Sequence, residues 1–274
     1  GMIAMNGSYH GKSMGALSIT FNPKYRKAFQ PLVDKVTFSP FGDIESLRSK
    51  IDSDTAFIVL EPIQGESGIH VAPDGFLQDV RKICDENDIL LIFDEIQAGL
   101  GRTGRMWASE HWNTVPDILC IAKGIAGGVP MGATMVRPDI LDCISKGEHS
   151  STFGGNPLSC AAGTATLQAL TQDGLIDNAE RRGKMFKDGL EALKEKHNII
   201  REIRGKGLMI GIELKFEVRD ILMEGIEKNL LLLYSGRNIL RLLPPLVITE
   251  QDVIRSLEIL DELFTNEEKR RNDQ

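Results

Sequence analysis

Two residues able to do chemistry together close successive apolar runs: Asp94 ends "ILLIFDE" and Lys123 ends "DILCIAK". An amine can attack a carbonyl and later carry a proton, and a carboxylate can hold a cationic nitrogen. Glu61 closes a third run, "TAFIVLEP". A charge at the end of an apolar strand is costly unless it is partnered, so each of these residues calls for a partner. A competing motif lies just beyond Asp94, because Gly99, Gly101 and Gly104 have G-x-G-x-x-G spacing. In a dinucleotide fold the first glycine directly follows the strand and the third opens a helix. Here residues 94–98 intervene and "RTGRMWA" opens no helix. The same spacing arises by chance in about one chain in four of this length and glycine content. The glycines read as a flexible connection, and a nicotinamide enzyme is disfavoured. "GSYHGKS" fails as a phosphate loop as well, since three residues rather than four separate Gly7 from Gly11.

Chemistry at strand ends needs a sheet that gathers those ends on one edge. The runs "MIAM", "KVTF", "TAFIVLEP", "ILLIFDE", "ILCIAKG" and "ATMVRP" are short and closed by Gly, Pro or acidic residues. Helical patterns lie between them. In 74–87, Phe76, Leu77, Val80, Ile83 and Cys84 share a face, with Asp74 as the expected N-cap. The alternation predicts an α/β fold with a mostly parallel sheet covered by helices, its ligands bound beyond the carboxyl ends of the strands. Asp94 and Lys123 then share an edge, as a pyridoxal 5'-phosphate site requires. There the lysine amine condenses with the cofactor aldehyde, and the carboxylate pairs with the pyridinium nitrogen so that the ring accepts electrons. From about residue 175 the pattern changes to a smaller α+β domain. It has a long amphipathic helix, strands at 199–214, a helix near 219–228, two short strands around 230–242 and a helix over 250–264. The expected division is 1–174 and 175–274. The helix in "NPLSCAAGTATLQAL" is rich in small residues and expected to pack closely, and the polar end "TNEEKRRNDQ" is expected to fray.

Composition narrows the function classes. A formal charge of −7 argues against a general nucleic-acid or anionic-membrane binder. No apolar run approaches the roughly 20 residues of a membrane helix, and no signal peptide is visible. Cys84, Cys120, Cys143 and Cys160 form no C-x-x-C pair, which disfavours disulfides and zinc; no metal site is expected, and a cytoplasmic location is.

Five stretches then carry a resemblance: "EPIQGESG" (61–68), "FDEIQAGLGRTG" (93–104), "DILCIAKGIAGGVPMGA" (117–133), "STFGGNPLSCAAG" (151–163) and "ILRLLPPLVITEQDV" (239–253). In order and spacing they resemble class-III pyridoxal-phosphate aminotransferases, of fold-type I, from Met2 to about Leu263. "YHGKSMGALSIT" and "IREIRGKGLMIGIELK" narrow the likeness to the acetylornithine and LysW-lysine aminotransferases of arginine and lysine biosynthesis. The resemblance implies that Lys123 binds the cofactor and shuttles the proton while Asp94 keeps the pyridine nitrogen protonated. It places Ile96 on one ring face and Tyr9, followed by His10, on the other. Gln97 would bond the phenolic oxygen, with Glu95 alongside, and Glu61 would orient Gln97 or the substrate. Thr152, beside Ser151, would reach the phosphate of the other subunit, implying a homodimer with shared sites. Arg241 would bind a substrate carboxylate and Glu66 would pair with it when the amino donor is present.

The implied reaction moves the terminal amino group of N-acetylornithine or an N-blocked lysine, including one linked to a carrier protein, to 2-oxoglutarate. Ornithine or 4-aminobutyrate as donor, and an inert fragment, are the alternatives. Two departures stand out. Lys12 occupies the place after "HG" where the family usually has an arginine for the donor carboxylate, and it lacks the planar fork. The family also normally has about a hundred residues before "MIAMNGSYHG", including a Gly-Thr phosphate loop at a helix N-terminus. The sequence therefore looks N-terminally truncated, with weakened cofactor affinity and low turnover expected.

Overall fold

The computed structural model describes residues 1–272. The chain divides into two compact units: 1–62, 72–100 and 107–173 form the first, and 63–71, 101–106 and 174–274 the second. A single cut near residue 174 therefore misses two short segments that belong with the second unit.

The first unit is built on a six-stranded sheet. Its strands are β1 (Met2–Met5), β2 (Val36–Ser39), β3 (Phe57–Leu60), β6 (Leu90–Asp94), β7 (Ile118–Ile121) and β8 (Ala133–Val136), numbered with β4 (Ile63–Gln64) and β5 (His70–Val71) of the second unit. The order is β2-β1-β3-β6-β7-β8, parallel throughout except for the β7–β8 pair. The sequence direction reverses between β1 and β3, the switch point at which the carboxyl ends of such sheets open a crevice. Helices α1 (Met14–Ser18), α2 (Pro23–Arg26), α3 (Ile44–Arg48), α4 (Phe76–Asn87), α5 (Pro138–Leu141) and α6 (Pro157–Gln172) join and flank the strands. Helix α4 buries the five residues that its periodicity selects, Phe76, Leu77, Val80, Ile83 and Cys84. Its N-cap is Gly75 in the left-handed region (φ 82°), one residue after the expected Asp74. Helix α6 buries only Ser159, Gly163 and Leu170, and leaves Leu158 70% exposed, so the expected close packing is confined to a strip.

Asp117, 3% exposed, ties this unit together. One carboxylate oxygen accepts from Arg81 Nη1 (2.8 Å) and the Leu91 amide (2.7 Å), and the other accepts from Arg137 Nη1 (2.6 Å). Asp117→Ala would leave the buried Leu91 amide unpaired and take one carboxylate from each of two arginines, Arg81 keeping Asp85 and Arg137 keeping Asp139. We expect a loss of about 3 kcal/mol of unfolding free energy, read from urea denaturation; a change within error would show that the hub contributes nothing.

The second unit packs helices α7 (Leu175–Lys196), α8 (Arg219–Glu227) and α9 (Glu250–Asn272) with an antiparallel sheet of β9 (Ile200–Lys206), β10 (Met209–Leu214), β11 (Leu233–Ser235) and β12 (Ile239–Leu242), in the order β11-β12-β10-β9. Phe186, Leu190, Ile210, Ile212, Leu240, Leu260 and Phe264 are among its core. Helix α9 runs to Asn272, past the expected fraying point. Buried Glu267 accepts from Arg270 Nη1 (2.6 Å) and Arg271 Nε (2.7 Å), and Arg271 lies 3.4 Å over the Phe216 ring, which pins the last turns. Asp273 and Gln274 of the polar end lie outside the described residues.

The 101–106 loop is equally constrained. Arg102 donates to the carbonyls of Leu208 (3.2 Å) and Pro244, and its own carbonyl accepts from the Leu208 amide (2.9 Å). Burial pushes the Arg102 guanidinium down to about 10. A Cβ on Gly104 (φ 84°) would stand 2.8 Å from Glu180 Cβ. The glycine is there for backbone curvature and close approach, which corrects the reading of this stretch as a flexible connection.

Candidate active site

The carboxyl ends of β1, β3, β6 and β7 deliver the predicted residues of the first unit except Ser151 and Thr152, which lie in the loop before α6. Asp94 closes β6 opposite Cys120 of β7, and Lys123 comes three residues after that cysteine. Neighbouring parallel strands lie about 4.8 Å apart, so Asp94 and Lys123 stand at the same edge of the sheet. Lys123 opens the short 3₁₀ turn Lys123–Ala126 with φ 47°, an uncommon conformation for a non-glycine residue, and it is exposed. Buried Ile125 and Ala126 hold that turn against the unit. A left-handed residue that persists against its intrinsic cost, on the order of 1 kcal/mol, marks a place where geometry is imposed.

Asp94, 7% exposed, is itself held. His10 Nδ1 lies 2.8 Å from its Oδ2, and the Ile96 amide donates to Oδ1 at 3.0 Å. A carboxylate accepts, so the proton of the His10–Asp94 bond sits on Nδ1. Each carboxylate oxygen retains lone-pair capacity for a further donor. The His10 amide in turn donates to Thr20 Oγ1 (3.0 Å). Buried Glu61 accepts the Tyr9 amide at 3.0 Å, which joins the end of β3 to the turn after β1. The Tyr9 ring meets Tyr25 edge-on at 5.5 Å, and Lys12 places Nζ 5.7 Å from the Tyr25 ring centre.

Glu95 departs from expectation. It is 1% exposed and its oxygens accept the amides of Ala108 (2.5 Å) and Ser109 (2.8 Å) at the start of a 3₁₀ turn. Burial pushes its carboxyl up while the backbone donors pull it back. Glu95 is thus a loop anchor, and the cofactor-binding role expected from its place beside Asp94 is withdrawn. Alternation along the chain turns it away from Asp94. Ser151 and Thr152 are exposed, and Ser151 Oγ accepts the Gly154 amide at 3.0 Å.

The second unit holds the other predicted pair. Arg241 of β12 donates through Nη1 to Glu66 Oε1 at 2.7 Å and to the Gly65 carbonyl at 3.2 Å. The Arg241 side chain is 11% exposed and that of Glu66 37%.

The residue set suits pyridoxal phosphate by chemistry: a primary amine, a carboxylate for a pyridinium nitrogen and an amide for a phenolic oxygen. Two buried polar atoms among these residues, Gln97 Oε1 and His10 Nε2, have no hydrogen-bond partner. Such atoms are costly unless something polar meets them. Among the described residues no cluster of His, Cys, Asp or Glu could hold a metal ion, and no helix is long and apolar enough to cross a membrane.

Known proteins resemble this chain along nearly its whole length. The acetylornithine aminotransferase of Caldanaerobacter subterraneus subsp. tengcongensis is 46% identical over 265 residues, covering 96% of this chain and 67% of that protein. Its counterpart in Methanocaldococcus jannaschii is 44% identical over 268 residues, covering 98% and 67%. The solved ornithine aminotransferase of Toxoplasma gondii ME49 has the same fold, with a TM-score of 0.95 at 35% identity, covering 98% of this chain and 65% of that one. This chain therefore spans about two thirds of the length of the relatives it matches. The family Aminotransferase class-III, whose members depend on pyridoxal phosphate, matches residues 1–264. With an amine and a carboxylate on one sheet rim and the match running through nearly the whole chain, the protein belongs to the class-III aminotransferases.

Proposed function

We propose that this chain carries the catalytic core of an aminotransferase that moves the terminal amino group of N-acetylornithine, or of an N-blocked lysine, to 2-oxoglutarate. The observation that carries the reading is the placement of Asp94 and Lys123 at the ends of adjacent strands, with Asp94 fixed by His10 and Ile96. Bound pyridoxal phosphate supplies an electron sink for the carbon that loses its proton. Lys123 Nζ would hold the cofactor, then take the proton from the donor's amine-bearing carbon in the first half-reaction and deliver one to the former keto carbon of the oxo acid in the second. Asp94 holds a proton at the ring nitrogen, Gln97 meets the phenolic oxygen, and Tyr9 and Ile96 cover the ring faces. Arg241 takes a carboxylate of the oxo acid bidentately, while Glu66 neutralises it when the donor presents its distal amine. The names of the relatives favour acetylornithine as donor. A homodimer in which Thr152 and Ser151 reach the other subunit's cofactor phosphate is part of the same proposal, and their exposure is compatible with it.

Borohydride reduction after incubation with pyridoxal phosphate tests the reading directly. One cofactor mass should appear on the peptide containing Lys123 and be absent from Lys123→Ala. A label spread over surface lysines would reject it.

Lys12 bears on the donor. A lysine presents a point charge where an arginine would present a fork. Lys12→Arg should lower the KM for acetylornithine about fivefold, equivalent to roughly 1 kcal/mol, and leave that for 2-oxoglutarate unchanged. An equal change in both would remove Lys12 from the donor side.

A further inference from the structure

The turn that carries Glu66 lies over a gap in the second unit's sheet. Gly211 of β10 pairs with Arg241 of β12 on one side and with Arg204 of β9 on the other. Two arginines thus flank a position without a side chain. A Cβ on Gly211 would come within 3.0 Å of Ile69 Cβ and 3.2 Å of the Gly68 carbonyl oxygen, so the 65–69 turn occupies the space a side chain would need.

Three carbonyls of this turn are gripped from the sheet. Arg241 Nη1 donates to Gly65 O (3.2 Å), Ser235 Oγ to Glu66 O (2.6 Å) and Arg204 Nε to Gly68 O (2.7 Å). Ser235, 3% exposed, sits on β11 opposite Ile239. Arg204, whose side chain is 9% exposed, is itself fixed by Glu202 (2.7 Å) and Glu213 (2.8 Å). Opposite-charge pairing with Arg204 holds Glu213 below the usual carboxylate range. The Glu66 carboxylate, by contrast, is 37% exposed and reaches Arg241 through a single oxygen. Backbone and side chain are therefore anchored very differently.

From this contrast we infer that Ser235, with Arg204 and Gly211, is a positioning device for Glu66. It clamps the backbone so that the Glu66–Arg241 pair opens by rotation of the Glu66 side chain alone. The inference rests on the proposed role of that pair in admitting a substrate carboxylate. The clamp sets the effective concentration of the Glu66 carboxylate at Arg241, and hence the fraction of time Arg241 is available to a ligand. A looser turn populates conformers in which Glu66 points elsewhere, leaving Arg241 free more often.

Calorimetric binding of glutarate, a five-carbon dicarboxylate, reads this without catalysis. If Glu66 occupies Arg241 about nine-tenths of the time, Glu66→Gln should tighten glutarate binding about tenfold. Ser235→Ala should tighten it about threefold in the same direction, and should add nothing in the Glu66→Gln background. Gly211→Ala, which pushes the turn outward, should mimic Ser235→Ala, while Ser235→Thr, which keeps the hydroxyl, should restore the original affinity. If Glu66→Gln tightens binding and Ser235→Ala does not, or if Ser235→Ala acts equally in both backgrounds, the clamp is wrong and the pair stands. If neither Glu66→Gln nor Arg241→Ala changes glutarate binding, the role of the pair falls and the inference falls with it.

Discussion

Lys123→Ala is expected to lower kcat by at least about 10⁴-fold, because one amine both binds the cofactor and moves the proton. Lys123→Arg should lose as much, since it keeps the charge and removes the reactive amine. The backbone at this position makes the prediction sharper. Lys123 has φ 47° at the start of its 3₁₀ turn. Glycine adopts that conformation without the Cβ conflict, so Lys123→Gly should raise unfolding free energy by about 1 kcal/mol while abolishing turnover. A gain in stability paired with a loss of activity is the signature of a residue kept for chemistry. Steady-state transamination of acetylornithine together with urea denaturation gives both readings. Lys123→Ala that retains a tenth of the activity would end the assignment.

Asp94→Asn should lower kcat on the order of 10³-fold, the scale of losing one preorganised electrostatic contact at a charge that matters to the reaction. Two causes combine. The amide cannot hold a positive ring nitrogen, and it also disturbs the local network. Asp94 accepts from both His10 Nδ1 and the Ile96 amide. An asparagine offers one oxygen and one NH2, so one of those donors would face another donor. His10 could relieve the conflict by moving its proton to Nε2, whereas the Ile96 amide has no such freedom. Asp94→Asn should therefore leave the Lys123 adduct obtainable by borohydride while turnover falls. Loss of the adduct along with turnover would mean that Asp94 serves binding instead of the reaction.

Part of this was legible in the sequence for simple physical reasons. Apolar runs closed by polar residues dictate buried parallel strands, and such strands deliver their closing residues to one edge. Asp94, Lys123 and Glu61 could be picked out because each closes such a run, and the α4 face because period 3.6 selects its five buried residues. The family likeness supplied Glu66 and Arg241, and the structure shows them 2.7 Å apart despite a separation of 175 positions in the chain.

Other features come from tertiary contacts that no local pattern encodes. Glu95 adjoins Asp94 yet turns to cap a loop, because neighbouring side chains diverge and two amides 13 and 14 residues onward needed an acceptor. Gly104 reads as part of a flexible connection until Glu180, far away in sequence, is found against it. Arg204 and Gly211 lie in the stretch "IREIRGKGLMIGIELK", yet no local pattern gives them or Ser235 a task; antiparallel register sets Arg204, Gly211 and Arg241 side by side, and Ser235 reaches the same 65–69 turn from β11. Strand ends and helix faces are set by spacing along the chain, whereas partners of buried polar atoms are set by who arrives in space, and that is fixed only when the chain has folded.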